Sequence, residues 1–141
     1  MIERYSRKEI KNIWDDKNKY QIWLNIEIAA AQAMEKLKLI PRGVAAKTKR
    51  KAKINVERIH KIESKVHHDV IAFLTSITER VGEEGKFLHK GMTSSDVIDT
   101  CFNLQLLQSS KIINNDIDQL LKILKKKSFK YKNTVCIGRS H

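Results

Sequence analysis

An all-α fold is predicted by three observations. Apolar residues recur at helical spacing along nearly the whole chain, residues able to cap a helix stand at the segment starts, and strand-type alternation competes only weakly, near Thr134-Val135-Cys136-Ile137. Ser6-Arg7-Lys8-Glu9 has the pattern of a capping box opening a short helix with Ile10, Ile13 and Trp14. A second helix is expected from about Asp16 to Lys38, with one apolar stripe at Ile22, Ile26, Ala29, Ala30, Ala33 and Leu37 and another at Tyr20, Leu24, Ile28 and Ala31. Pro41 and Gly43 then interrupt the chain ahead of a basic segment from Lys47 to Lys53. Asn55 is placed to cap a helix carrying Val56, Ile59, Ile62 and Val66, and Asp69 to cap another carrying Val70, Ile71, Phe73, Leu74, Ile77 and Val81, with Gly82 as its stop.

The last element runs from about Ser95 to Phe129, and Val97, Ile98, Cys101, Phe102, Leu106, Ile113, Ile117, Leu120 and Leu124 mark its expected buried side. At this length it would span roughly 50 Å. A compact domain of this size has a radius of gyration of only about 14 Å, so such a helix would overhang its own globule. Its apolar stripe therefore calls for partner helices from other subunits or from further sequence. The chain stops directly after Gly138-Arg139-Ser140-His141, with neither cap nor polar tail, and reads as a fragment.

Composition bounds the function classes. The 141 residues lack linker composition and read as one unit in which 41% hydrophobic content suffices for a core. The first seven residues carry charges where a signal peptide needs an apolar stretch, and no run approaches the roughly 18 apolar residues of a membrane helix, so the expected location is the cytosol. Cys101 and Cys136 lack metal or disulfide spacing. A net charge of +12 attracts anions without choosing among nucleic acid, lipid and phosphorylated metabolites. The basic runs Lys47, Lys49, Arg50, Lys51, Lys53 and Lys125-Lys126-Lys127 have no aromatic interleaving and read as solvated helix faces.

The chemistry-bearing stretch is Lys90-Gly91-Met92-Thr93-Ser94-Ser95-Asp96 at the mouth of the long helix. Thr93 or Ser94 can cap the helix and Asp96 can close the box, leaving hydroxyls and first-turn N–H groups for an anion. His67-His68-Asp69 and Gly138-Arg139-Ser140-His141 can add acid, base and cationic groups. His60, Glu63 and His67 share a helix face at a spacing that mimics a metal site, but the reading favours an ordinary polar face and no metal.

Arg4-Tyr5, His68-Asp69-Val70-Ile71-Ala72-Phe73, His89-Lys90-Gly91-Met92-Thr93-Ser94-Ser95-Asp96 and Gly138-Arg139-Ser140-His141 resemble, in order and spacing, the adenylosuccinate lyases of the fumarase/aspartase superfamily. The resemblance covers essentially the whole chain. It implies an N-terminal helical domain over 1–93 and, over 94–141, the beginning of a central long-helix bundle domain, in a protein roughly three times longer. It also implies a cofactor-free β-elimination that releases fumarate from adenylosuccinate, giving AMP, and from the related succinyl-carboxamide ribotide. The implied assembly is a homotetramer with each active site built from three subunits.

By position, the resemblance makes His141 the acid that protonates the departing nitrogen, an exchange suited to an imidazole titrating near neutrality. His68 and Asp69 would contact substrate and support that histidine, Thr93 and Ser94 would grip the succinyl carboxylates, and Arg4 and Tyr5 would touch the nucleotide. Arg139 would organise the His141 loop, and His89 would shape the Thr93 loop or contact substrate. His67 departs from a position usually occupied by Lys or Arg, so a hydrogen bond would replace a charge toward the phosphate. The serine expected to act as base belongs to a Ser-, Met-, Pro-, Lys- and Asn-rich loop with no counterpart here, so this chain alone is expected to be nearly inactive. The competing readings are another lyase of the superfamily, acting on argininosuccinate, fumarate or aspartate, and a basic helical module binding RNA or a partner helix. Arg4-Tyr5 and His68-Asp69-Val70 favour a nucleotide substrate.

Overall fold

The computed structural model describes residues 2–140. It contains α1 (Lys8–Ile13), α2 (Asp16–Lys36), α3 (Val44–Lys51), α4 (Val56–Val66), α5 (Asp69–Val81) and α6 (Ser94–Tyr131), with 3-10 turns at Glu3–Tyr5 and Glu83–Phe87. Among the described residues there is no strand, so the weak alternation at Thr134–Ile137 does not become one. Two compact units divide inside α6, the first Met1–Leu106 and the second Leu107–His141.

In the first unit α2 is the frame. Asp15 caps it, its carboxylate accepting from the Asn18 N–H at 2.8 Å, and one face buries Tyr20, Trp23, Leu24, Glu27, Ile28 and Ala31. The second of the two expected stripes is thus the buried one. In the first stripe Ile22 is buried and Ile26 and Ala30 are half-buried, but Ala29, Ala33 and Leu37 are exposed. The helix ends before Lys38, whose φ of 59° turns the chain so that the Leu39 N–H reaches the Met34 carbonyl at 2.9 Å.

Helices α4 and α5 pack on each other and α5 also contacts α3 and the 83–87 turn. Their core residues are Ile59, Ile62, Val70, Ala72, Phe73, Ile77 and Val81. Trp23 meets Phe73 edge-on at 5.4 Å, which fixes α5 against α2. Gly85 is required at the 83–87 turn, because a Cβ there would come within 2.6 Å of the Thr78 side chain.

Two local expectations are corrected. The Ser6 capping box does not form: α1 opens at Lys8 with Arg7 in the cap position, Arg7 makes no side-chain cap bond, and the Ser6 hydroxyl donates to the Ile2 carbonyl instead. The basic segment is helical over most of its length, in keeping with its reading as a solvated helix face, and opens at Val44 after Gly43 at φ 93°. In the first unit's part of α6, Val97, Cys101 and Gln105 face inward at steps of four, while Ile98, Phe102 and Leu106 are exposed. In the second unit Ile113, Ile117, Leu120 and Leu124 are exposed as well. The inward stripe is narrow because it meets α1 and the start of α2, where Gln105 Nε2 donates to the Ile13 carbonyl at 2.7 Å.

Candidate active site

The mouth of α6 is built by a reciprocal cap. Thr93 Oγ1 accepts from the Ser95 N–H at 3.1 Å, and the Asp96 carboxylate reaches back to the Thr93 N–H at 2.8 Å. The Asp96 N–H also donates, to the Thr93 carbonyl at 3.1 Å. The expected box therefore forms, with Thr93 as its cap, and it consumes much of the donor set that an anion would otherwise meet. Among the described residues, the Ser94 N–H and the Ser94 and Ser95 hydroxyl protons remain without partners, and Thr93 keeps its own hydroxyl proton to donate.

The turn leading into this cap is anchored from beneath. Glu27, only 1% exposed on α2, accepts the His89 backbone N–H on Oε2 at 2.8 Å and faces His89 Nδ1 with Oε1 at 2.7 Å. A carboxylate offers only acceptors, so the imidazole presents Nδ1–H to it. His89 sits at φ 59° and Gly91 at φ 72°, two left-handed residues that fold the chain back, with the Met92 N–H on the His89 carbonyl at 3.3 Å. Leu88 is buried and Met92 packs on the core, so the turn is clamped on both sides of His89.

Sequence reasoning missed Glu27 altogether. Its signal was present: a carboxylate seven residues after Tyr20 and four after Trp23, on the face that otherwise carries the core.

At the α4–α5 junction the local assignment changes. Asp69 is not the cap but the first residue of α5; His68 is the cap, its Nδ1 accepting from the Ile71 N–H at 3.4 Å. A ring nitrogen that accepts carries no proton, so the neutral His68 ring holds its hydrogen on Nε2 and offers it outward. Asp69 Oδ1 accepts from its neighbour Val70 N–H at 2.7 Å. The His68 Nδ1 to Asp69 Oδ1 distance of 3.6 Å is too long for a hydrogen bond.

His67 closes α4 in the left-handed conformation, φ 51° and ψ 37°, donating its N–H to the Glu63 carbonyl at 2.8 Å. Neither histidine is in a helical turn, and the 100° divergence expected of adjacent helical residues does not apply to them. Both side chains are exposed.

His67 shares an open depression with His60, Glu63 and Ser64. His60 Nε2 lies 2.9 Å from Asp16 Oδ2, so that ring is engaged by α2. Arg4 and Tyr5, both exposed, lie in the 3-10 turn Glu3–Tyr5, the guanidinium 4.8 Å from the Tyr5 ring centre. Among the described residues no hydrogen bond or ion pair joins the Arg4–Tyr5 turn, the His67–Asp69 junction and the Thr93–Ser94 cap. His141 lies outside the described residues.

The basic run of α3 is partly neutralised within the chain. Lys47 Nζ is 2.6 Å from Glu84 Oε1, and Lys51 donates to the Val81 carbonyl at 3.3 Å. The Lys47 ammonium hydrogen-bonded to Glu84 holds that carboxyl below the usual range. Burial pushes the Cys101 thiol up, which makes it a poor nucleophile.

Similarity to known proteins follows the same outline. A curated adenylosuccinate lyase of Staphylococcus saprophyticus subsp. saprophyticus is 43% identical over 141 residues, 100% of this chain and 33% of that protein. The chain thus spans about a third of the length of the curated relative it matches. Two crystal structures share the fold: a fumarate lyase from Mesorhizobium sp. BNC1, with TM-score 0.89, 24% identity and coverage of 96% of this chain and 33% of that one; and β-carboxy-cis,cis-muconate cycloisomerase from Acinetobacter calcoaceticus sp. ADP1, with TM-score 0.85, 24% identity, 95% and 33%. No helix among the described residues is long and apolar enough to cross a membrane. A family model described as Lyase matches residues 3–141, and on that match the chain belongs to the lyase family of the fumarase/aspartase superfamily.

Proposed function

We propose that this chain is the N-terminal third of an adenylosuccinate lyase that eliminates fumarate from adenylosuccinate, leaving AMP, and from the succinylated aminoimidazole carboxamide ribotide. The observation that carries the reading is the 43% identity to a curated adenylosuccinate lyase over the whole chain. The proposed protein is a cytoplasmic homotetramer working without a cofactor, with residues 94–141 opening its central bundle domain and residues 1–93 forming the domain before it.

The elimination removes a proton from the carbon beside a carboxylate and expels a nitrogen, so negative charge builds on that carboxylate. Ser94, with a free N–H and a free hydroxyl, and Thr93, with its remaining hydroxyl proton, are the donors assigned to the succinyl carboxylates. Asp96 already occupies the Thr93 N–H and adds its charge at the same helix end, so binding there relies on aimed hydroxyls more than on the helix dipole. His68 donates from Nε2 toward substrate and the catalytic imidazole, Asp69 supports it, and His141 delivers the proton to the leaving nitrogen. Arg4, Tyr5 and His67 are assigned to the nucleotide, Arg4 by forking onto phosphate. The base comes from the rest of the protein.

Apolar side chains of α6 left exposed in this chain, Phe102, Leu106, Ile113, Ile117, Leu120 and Leu124, suit burial against helices of other subunits. The reading is tested by offering the full-length protein adenylosuccinate, argininosuccinate, aspartate and malate in parallel and measuring fumarate. Fumarate from adenylosuccinate alone is the expected result; release from one of the others instead would transfer the assignment to that lyase. Steeply salt-dependent RNA binding with no turnover of any of the four would favour the basic-module alternative.

A further inference from the structure

We propose that Glu27 is a positioning residue for the succinyl-binding turn, acting through His89; this rests on the function proposed above. Glu27 is 1% exposed, yet its two oxygens go to a single residue of the chain 62 positions later. A buried carboxylate held only for stability would be expected to serve the elements it lies among; this one holds the backbone and the ring of His89, four residues before Thr93. The bond to the N–H fixes where the turn begins, and the bond to Nδ1 fixes the ring orientation and leaves Nε2 as the other, unbonded ring nitrogen. Both residues that follow in unusual geometry, His89 at φ 59° and Gly91 at φ 72°, transmit that placement to the Thr93 cap. No other carboxylate among the described residues contacts this turn from the core, so α2 sets the position of Ser94 through Glu27.

The inference separates binding of the dicarboxylate from binding of the nucleotide. In the full-length protein, Glu27→Gln keeps the size and one acceptor but adds an amide N–H₂ that either opposes the backbone N–H of His89 or, with the amide oxygen on that N–H, drives the ring to the Nε2–H tautomer and reverses the roles of both ring nitrogens. It is expected to weaken inhibition by fumarate about tenfold or more, a positional effect, while inhibition by AMP stays within about twofold. Glu27→Asp, which keeps the charge but is one methylene short of both bonds, is expected to show the same split to a smaller degree. If Glu27→Gln does not assemble, the split in Glu27→Asp decides. Combined with Ser94→Ala, Glu27→Gln should add little further loss of fumarate inhibition, because both act on one contact. Equal weakening of fumarate and AMP inhibition, or none of either, would overturn the proposal. Failure of the wild-type protein to turn over adenylosuccinate would instead overturn the functional reading beneath it.

Discussion

Tyr20 of α2 stacks on Phe73 of α5 with ring centres 5.9 Å apart and planes 10° from parallel. With Trp23 edge-on to both rings, at 5.3 Å and 5.4 Å, this aromatic cluster locks α5 to α2. The junction at His68, five residues before Phe73, takes its position from that lock. Tyr20, Trp23 and Glu27 share one helix face, so the same face that seats α5 also holds His89. A single helix thus places both the His68 and the Thr93 segments.

Phe73→Ala should therefore be among the most destabilising substitutions in the chain. The ring is 1% exposed and touches two aromatics, so a loss of about 3–5 kcal/mol is expected, read as a lowered urea midpoint with an unchanged slope.

His68 carries two separable duties. As the cap of α5 it accepts the Ile71 N–H; as a proposed catalytic group it offers Nε2–H. His68→Asn can still cap and should hold stability within about 0.5 kcal/mol while losing turnover. His68→Ala should lose turnover and also about 0.5–2 kcal/mol of stability. Thermal unfolding and fumarate release on the two variants check the separation.

Thr93 and Ser94 divide in the same way. Thr93→Ala removes the acceptor for the Ser95 N–H and should cost about 0.5–2 kcal/mol of stability, whereas Thr93→Ser should cost little. The Ser94 hydroxyl has no partner among the described residues, so Ser94→Ala should leave the unfolding midpoint nearly unchanged.

Acid stability has a defined sign. The Lys19 ammonium hydrogen-bonded to Asp16 holds its carboxyl below the ordinary value of 3.8, against the opposing effect of burial, with the Lys19 charge and His60 contributing further. A carboxylate depressed in the folded state stabilises it above the unfolded pKa, and that contribution is lost as pH falls through the depressed value. Glu84, held down by Lys47, and the exposed Glu79, held down by Arg58, act in the same direction. The stability difference between wild type and Asp16→Asn should be constant above about pH 5 and shrink as the pH drops below 3.8, measured by urea unfolding at each pH.

Much of this architecture was legible from local chemistry. Asn55, Gly82 and the Thr93–Asp96 pair act within one turn of their own position, and each forms the cap its residue type predicts. What escaped the sequence was decided at a distance. Asp69 is a better cap by propensity than His68, but the left-handed His67 leaves only two residues to reverse the chain, and this moves the cap back by one. Ser6 forms no box because α1 opens one residue later than the box requires, with Arg7 in the cap position, and the Ser6 hydroxyl donates to the Ile2 carbonyl. Glu27 could be seen as a misplaced charge, but its partner 62 residues away could not be inferred from spacing. The residues proposed for the site, Arg4, Tyr5, His67, His68, Asp69, Thr93 and Ser94, lie in turns and at helix ends.

The most direct test of the account is fumarate release from adenylosuccinate by the full-length protein carrying Ser94→Ala, beside wild type, with assembly checked by sedimentation. The account predicts a fall in turnover of about 10²–10³, as for loss of one donor to a developing oxyanion, in a protein that assembles and melts like wild type. Turnover by the variant within about twofold of wild type would contradict it, because the α6 mouth would then have no part in holding the reacting carboxylate.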